Sequence, residues 1–110
     1  MAAEAGDTPV LDLLAGMTAD SLEVSSLDAK SLMLVRIAAL VAVDAPPASY
    51  LMNLGAAMDV GVDADQVRGV LAAVAPIVGT ARVVSATGKI VRALGIAIEV
   101  AELEEEEMDQ

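Results

Sequence analysis

Residues 32–53 read "LMLVRIAALVAVDAPPASYLMN" and decide the fold. Almost every position from Leu32 to Val43 is apolar, and the length and the alanines of this run favour a helix buried on most sides over a strand. The two prolines that follow end this helix, because a residue that precedes proline is pushed out of the helical region. Pro47 can open the next helix, where its missing N–H is harmless. The segment therefore predicts two consecutive helices separated by a proline break.

Two short helices are predicted before this apolar segment. "TPVLDLLAG" has Thr8 as an N-cap, Pro9 at the first helical position and Gly16 as a stop. "TADSLEVSS" follows, with Thr18 as a second N-cap. The apolar stripes of both helices are narrow, so we expect them at the periphery of the protein.

Further helices are predicted after the prolines. The first is expected to end at Gly61 in the left-handed conformation, and Asp63 with Gln66 forms a capping box that starts the next one. Gly79 breaks the chain again. The final stretch, "GIAIEVAELEEEE", fits a helix or a strand, and we favour helix because no other convincing strand exists to pair with it. The apolar positions expected to face inward are Val67, Val70, Leu71, Val74 and Ile77, then Val83, Val84, Ile90, Val91 and Leu94.

The fold class that follows is all-α, a small bundle of about six helices. Charge divides the chain into three parts: residues 1–26 hold five acids and no base, residues 27–98 hold five acids and six bases, and residues 99–110 hold seven acids and no base. We expect an acidic N-terminal segment with short helices, a helical core and a solvated acidic tail in these ranges. The net charge of −11 opposes binding to nucleic acid and to anionic membranes.

The composition excludes several kinds of chemistry. The sequence contains no cysteine and no histidine, which removes thiolate nucleophiles, cysteine-ligated metals and the commonest general base. We expect no metal and no cofactor. A small chain with an apolar, nearly neutral body gains from covering that body with further copies, so a homo-oligomer is expected. The N-terminus lacks the basic and apolar regions of a signal peptide, and no charge-free apolar run is long enough to span a membrane, which predicts a cytoplasmic protein.

The central layout resembles a known family. A buried helix starts after "LD-x-K", and "DVGVDADQVRGVLAAVAPIVGTA" at residues 59–81 leads into a long amphipathic helix. This pattern is similar to the carboxymuconolactone decarboxylase and alkyl hydroperoxidase D-like family over about residues 27–95. The resemblance implies an all-helical subunit that assembles as a trimer or a hexamer, with active sites at the subunit interfaces.

The resemblance also implies where a redox site would lie. The thiol branch of the family carries C-x-x-C and a histidine, and counting back from Gly61 puts those three positions at Pro46, Ser49 and Asn53. The upstream glutamate of that branch falls at Leu34. A peroxidase of this type needs a thiolate to attack the peroxide, a second thiol to resolve the sulfenic acid and a base to relay the proton. We therefore expect a member of the family that is degenerate at the redox site.

The same helical face remains a candidate binding site. Pro46, Ser49 and Asn53 lie at i, i+3 and i+7, with Tyr50 beside them. In one interpretation Ser49, Tyr50 and Asn53 line a pocket for a small polar or carbonyl ligand. In the other, which we favour, Ser49 satisfies a free N–H, Tyr50 fills the core and Asn53 makes a local hydrogen bond.

Arg36 is the odd residue of the apolar helix. A buried guanidinium needs a partner, because desolvating it alone is costly. The candidates are Asp44, two turns further along, and an acid from another subunit. Alternatively, Arg36 binds a carboxylate or phosphate in a pocket. We favour the structural ion pair.

Lys89 and Arg92 are the second basic feature. They lie three residues apart on the penultimate helix, where they can form a small anion-binding patch or pair with Glu99 and Glu102. The acidic character of that end of the chain favours the pairing.

Two functions from different classes remain open. The first is a non-redox oligomeric binding or structural module, with Arg36, Ser49, Tyr50 and Asn53 as candidate binding residues. Its expected partners are further copies of the chain and a small anionic metabolite. The second is a thiol-independent lyase, decarboxylase or isomerase, in which Arg36 holds a small carboxylate and Tyr50 or an acid moves a proton. Peroxidase activity would rest on family assignment alone.

Overall fold

A computed structural model describes the backbone of residues 2–109 and the side chains of residues 8–96, 103 and 105–107. The described backbone is helical apart from short connections and contains no strand. The predicted all-α class and the helical conformation of the final stretch are thus confirmed. The described backbone forms five α-helices: α1 (Ala2–Val24), α2 (Ala29–Val43), α3 (Pro47–Asp59), α4 (Ala64–Val78) and α5 (Thr80–Asp109).

Helices α2 to α5 form the bundle that holds the core. α2 packs against α3, α4 and α5, and α5 also packs against α3 and α4. The largest fully buried side chains are Ile37, Val41, Tyr50 and Leu54. Burying an aliphatic side chain of this size contributes about 1.5–3 kcal/mol, so α2 and α3 supply much of the stability that fixes the bundle.

The turns between the helices follow the predicted signals. α3 begins at Pro47, as the proline break requires. Gly61 has a φ of 92°, a left-handed conformation that glycine adopts without strain, and the buried Val62 follows it. Asp63 and Gln66 form the predicted capping box at the start of α4. The first of these turns places α3 against α2, and the second returns the chain so that α4 also packs against α2.

The N-terminal region differs from the prediction of two short helices. It forms the single helix α1, which passes through Gly16 without a break. Thr18 does not act as an N-cap, because its hydroxyl donates a hydrogen bond back to the carbonyl of Leu14 at 3.1 Å. The described side chains of α1 are all exposed. The peripheral position of α1 and the 30-residue length of α5 are consistent with a radius of gyration of 16.0 Å, above the ~13 Å typical of a chain this long.

Several apolar side chains that were expected to face inward are exposed. From Leu32 to Val43, α2 is exposed only along the stripe of Val35, Ala39 and Val43, so the prediction of a helix buried on most sides is confirmed. The expectation of an inward position is wrong for Ile77 on α4 and for two valines on α5. Within the described residues no element packs over them, and their exposed fractions are 87% for Ile77, 64% for Val84 and 65% for Val91.

Among the described helices, none combines the length and the apolarity needed to cross a membrane.

Candidate ligand-binding cleft

Helices α1, α2 and α3 enclose an open cleft of about 510 Å³. Three of the four predicted binding residues, Arg36, Ser49 and Asn53, border it, whereas Tyr50 does not. The rest of the lining mixes thioether and hydroxyl side chains from all three helices. The complete lining consists of Met17, Thr18 and Ser21 from α1, Met33 and Arg36 from α2, and Ser49, Met52, Asn53 and Ala56 from α3.

Arg36 is half-buried in this cleft, and its predicted pairing with Asp44 is wrong. Its Nη2 donates a hydrogen bond to the carbonyl of Thr18 at 3.4 Å, which is long for an N–H···O bond. Among the described side chains no carboxylate forms an ion pair with Arg36. The guanidinium therefore keeps most of its donors free for a ligand in the cleft.

Ser49 and Asn53 are positioned by the first two turns of α3. The N–H of Ser49 donates to the carbonyl of Pro46 at 3.0 Å. The amide nitrogen of Asn53 donates to the carbonyl of Ser49 at 2.8 Å, which is the local hydrogen bond predicted for it. The hydroxyl of Ser49 forms no hydrogen bond within the described residues, so it remains available as both donor and acceptor.

Tyr50 lies in the core rather than in the cleft. Its side chain has no exposed surface, and its hydroxyl has no hydrogen-bond partner among the described residues. Burial raises the pKa of the phenol, and the negative charge of Asp44 raises it further. Tyr50 therefore stays neutral at physiological pH, which does not suit the proton transfer that the enzyme hypothesis assigns to it.

Asp44 takes part in a separate polar cluster, which we call the Asp44 cluster and which consists of Asp44, Ala45, Ser85 and Lys89. Its Oδ1 accepts hydrogen bonds from the Ser85 hydroxyl at 2.8 Å and from the Lys89 amine at 3.0 Å. Lys89 also donates to the carbonyl of Ala45 at 2.7 Å. The hydrogen bond from Ser85, and then that from Lys89, lower the pKa of Asp44. The cluster ties the α2–α3 turn to α5.

Lys89 has a partner that the sequence did not suggest. It forms an ion pair with Asp44, because the turn after α2 brings the carboxylate to within 3.0 Å of the amine, and the pairing with Glu99 or Glu102 stays a prediction. The side chains of Glu99 and Glu102 lie outside the described residues. Arg92 forms no ion pair within the part of the chain that is described.

Sequence reasoning missed several residues of the cleft. Met33 lies three residues before Arg36, and Met52 lies three residues after Ser49, so helical spacing could have placed both on the cleft face. Met17, Thr18 and Ser21 gave no such signal. Their place in the cleft depends on how α1 lies relative to α2 and α3, which the periodicity of a peripheral helix does not encode.

Comparison with known proteins identifies the class of protein that this fold and cleft define. A model of the carboxymuconolactone decarboxylase family matches residues 8–91. The match covers more than half of the chain, and the chain belongs to this family. It begins within α1 and ends within α5, so it includes all three helices that line the cleft. No curated protein and no solved structure matches the chain.

Proposed function

We propose that this member of the carboxymuconolactone decarboxylase family is a non-redox, self-associating binding module. In this proposal the cleft between α1, α2 and α3 binds a small anionic metabolite through Arg36. The observation that carries the proposal is a half-buried guanidinium in a cleft of about 510 Å³ that forms no ion pair among the described side chains. A guanidinium in that setting favours an oxyanion, because its planar fork matches a carboxylate or a phosphate.

The other lining residues suit a small ligand with one charged end and a polar group. Ser49 offers a hydroxyl on α3 that forms no hydrogen bond among the described residues, and the Asn53 amide lies one turn further along. Met33 and Met52 add polarisable, adaptable surface for an apolar part. Such a mixture of a few polar groups and apolar walls is typical of small-molecule sites.

The sequence argues against redox chemistry at this place. The family's cysteine and histidine positions carry Pro46, Ser49 and Asn53, and no cysteine or histidine occurs elsewhere in the chain. A hydroxyl does not form the thiolate that such a peroxidase reaction requires. Binding without a thiol-dependent step is consistent with these residues.

Binding is also better supported than thiol-independent catalysis. A lyase or decarboxylase would need a group that moves a proton near neutral pH. The lining residues are Arg36 and uncharged side chains, and Tyr50 is buried outside the cleft with a raised pKa. A binding role requires no such group.

Isothermal titration calorimetry can test the proposal with succinate and inorganic phosphate as probes. We expect the wild-type chain to bind at least one probe, and Arg36→Met to weaken that binding at least about tenfold, the loss expected for a charge-assisted hydrogen bond. Arg68→Met is the matched control, because Arg68 lies on α4 in an exposed pair with Asp65. Equal affinities for wild type and Arg36→Met, or no heat with either probe at millimolar concentration, would contradict the proposal.

A further inference from the structure

Three methionines line the cleft that contains Arg36. Met17 lies on α1, Met33 on α2 and Met52 on α3, so each of the three helices contributes one thioether side chain to the lining. The only other methionine among the described side chains is Met58, which borders a different cleft. The described methionines are therefore concentrated at the site of Arg36.

Two of these methionines do not belong to the hydrophobic core. Met33 is 5% exposed and packs in the core beneath the cleft, whereas Met17 is 58% exposed and Met52 is 75% exposed. A methionine that fills a gap in a core is buried. Core packing therefore accounts for Met33, but it does not account for Met17 and Met52.

A second cleft of the bundle has a different kind of apolar lining. It lies between α3, α4 and α5, has a volume of about 210 Å³ and is bordered by Leu54, Val62, Val67 and Leu94. Such aliphatic walls favour any apolar group of matching size through burial alone. No leucine, isoleucine or valine occurs among the described residues that line the cleft at Arg36, where the apolar side chains are the three methionines and an alanine.

A thioether distinguishes between apolar groups in a way that an aliphatic side chain does not. Its polarisable sulfur is attracted to an aromatic ring, with the sulfur about 5 Å from the ring and often at the ring edge. The chain contains no phenylalanine and no tryptophan, and its single tyrosine, Tyr50, does not border the cleft. An aromatic partner for the methionines in the cleft must therefore come from a ligand.

The charge of the lining favours a ligand with one anionic group. Arg36 is the one charged side chain among the described residues that line the cleft. Its planar guanidinium can pair with one carboxylate through two parallel hydrogen bonds. A second carboxylate inside the cleft would lie against thioethers and uncharged polar groups without a cation, which is unfavourable. The lining therefore suits a monocarboxylate better than a dicarboxylate.

We propose that the cleft at Arg36 binds a monocyclic aromatic monocarboxylate. The carboxylate pairs with Arg36, and the ring lies against the thioethers of Met17 and Met52 at the mouth of the cleft. The volume of about 510 Å³ is within the range of small-molecule sites. The inference rests on the proposed function, because it names the class of anion that the same site takes.

Benzoate and cyclohexanecarboxylate form a matched pair of probes. Both carry one carboxylate on a six-membered ring, and they differ in whether that ring is aromatic. Burial alone would favour the saturated ring or treat the two alike, because the saturated ring presents at least as much apolar surface. In isothermal titration calorimetry we expect benzoate to bind about fivefold more tightly, the size expected for one or two sulfur–aromatic contacts.

Methionine-to-leucine variants test whether the sulfur atoms cause this preference. Met17→Leu/Met52→Leu keeps apolar side chains of similar volume at two exposed positions, so the preference for benzoate should fall below about twofold. Met58→Leu makes the same exchange in the cleft of about 210 Å³ and should retain the full preference. Arg36→Met should weaken binding of both acids about tenfold, because both use the same guanidinium.

Methyl resonances of the methionines provide a second measurement. An aromatic ring shifts nearby nuclei through its ring current, whereas a saturated ring does not. Benzoate should therefore shift the methyl signals of Met17 and Met52 further than cyclohexanecarboxylate does, and the signal of Met58 should stay in place with both acids.

Two results would overturn the inference. One is equal or tighter binding of cyclohexanecarboxylate, and the other is a preference for benzoate that persists in Met17→Leu/Met52→Leu. Either result leaves the proposed function standing if Arg36→Met still weakens the binding of succinate or of cyclohexanecarboxylate. If neither acid binds and succinate and phosphate do not bind either, the inference and the proposed function are both overturned.

Discussion

Arg36 and Lys89 are two cations of the same bundle, and they differ in how many contacts the rest of the fold makes with them. Lys89 donates to Asp44 at 3.0 Å and to the Ala45 carbonyl at 2.7 Å, so the fold itself uses its charge. Arg36 has one long contact of 3.4 Å to a carbonyl and lies in an open cleft. The residue whose charge the fold leaves unused is the better candidate for binding a ligand.

The regions around Arg36 and Lys89 share one hydrophobic core. A substitution in that core should have the largest effect on the free energy of unfolding. Ile37 lies between the two regions on α2 and is fully buried. Ile37→Ala should reduce the free energy of unfolding by about 2–5 kcal/mol, through lost burial and the cavity that remains. Val35→Ala, two residues away and 56% exposed, should stay within about 0.5 kcal/mol of wild type in urea unfolding. Similar losses for both variants would mean that α2 is buried on both sides in solution.

Replacing Lys89 or Arg36 with methionine tests whether the fold depends on the charge of the first and not on that of the second. Lys89→Met should cost about 1 kcal/mol, because it leaves the Ala45 carbonyl without its charged donor. Arg36→Met should change the free energy of unfolding by less than about 0.5 kcal/mol, since the fold uses the guanidinium so little. Chemical denaturation of both variants measures the difference. If Arg36→Met proves the more destabilising of the two, the charge of Arg36 is structural and the comparison fails.

The loss of stability at low pH tests whether the Asp44 cluster stabilises the folded protein. Hydrogen bonds from Ser85 and Lys89 lower the pKa of Asp44 in the folded state below the ordinary value of 3.8. A group with a depressed folded pKa contributes stability above its unfolded pKa and loses that contribution as the pH falls through its folded pKa. In thermal melts, Asp44→Asn should therefore lose less stability than wild type as the pH falls below 4 (the range set by ordinary carboxyl values of about 4). Parallel curves of stability against pH for the two proteins would exclude the Asp44 cluster as a cause of the loss at low pH.

A neutral or stabilising effect is expected at Tyr50, where one interpretation of the sequence placed a functional hydroxyl. This hydroxyl is buried and has no partner among the described residues, so removing it breaks no hydrogen bond among them. Tyr50→Phe should leave the free energy of unfolding unchanged or raise it by up to about 1 kcal/mol, and succinate affinity should not change. A clear loss of stability or of succinate affinity would show that the hydroxyl has a partner in the assembled protein.

The sequence predicted the helices that have local signals at their ends. The prolines before α3, the glycine at position 61 and the capping box of Asp63 and Gln66 all act through neighbouring backbone atoms, and the structure has each of them. The length of α1 was not predictable in this way. Gly16 and Thr18 are compatible with both a helix end and a helix interior, and the structure places them in the interior, where the Thr18 hydroxyl donates to the carbonyl of Leu14.

The candidate site was only partly predictable for a related reason. Ser49 and Asn53 share a face of α3, which spacing alone gives. The choice between Lys89 and Arg36 as the partner of Asp44 depends on how α5 lies against the α2–α3 turn. That arrangement is a property of tertiary packing, so the pairing of Asp44 with Arg36 was a reasonable but wrong inference from separation along the chain.

The most direct test of the cleft is a succinate titration followed by two-dimensional NMR of the backbone and arginine side-chain N–H groups. The account predicts that saturable shifts concentrate at Arg36, Ser49 and Asn53, and that they vanish in Arg36→Met while Arg68→Met retains them. Shifts that instead centre on Ser85, Lys89 and Arg92, or that persist in Arg36→Met, would contradict the claim that the unused charge of Arg36 makes the binding site.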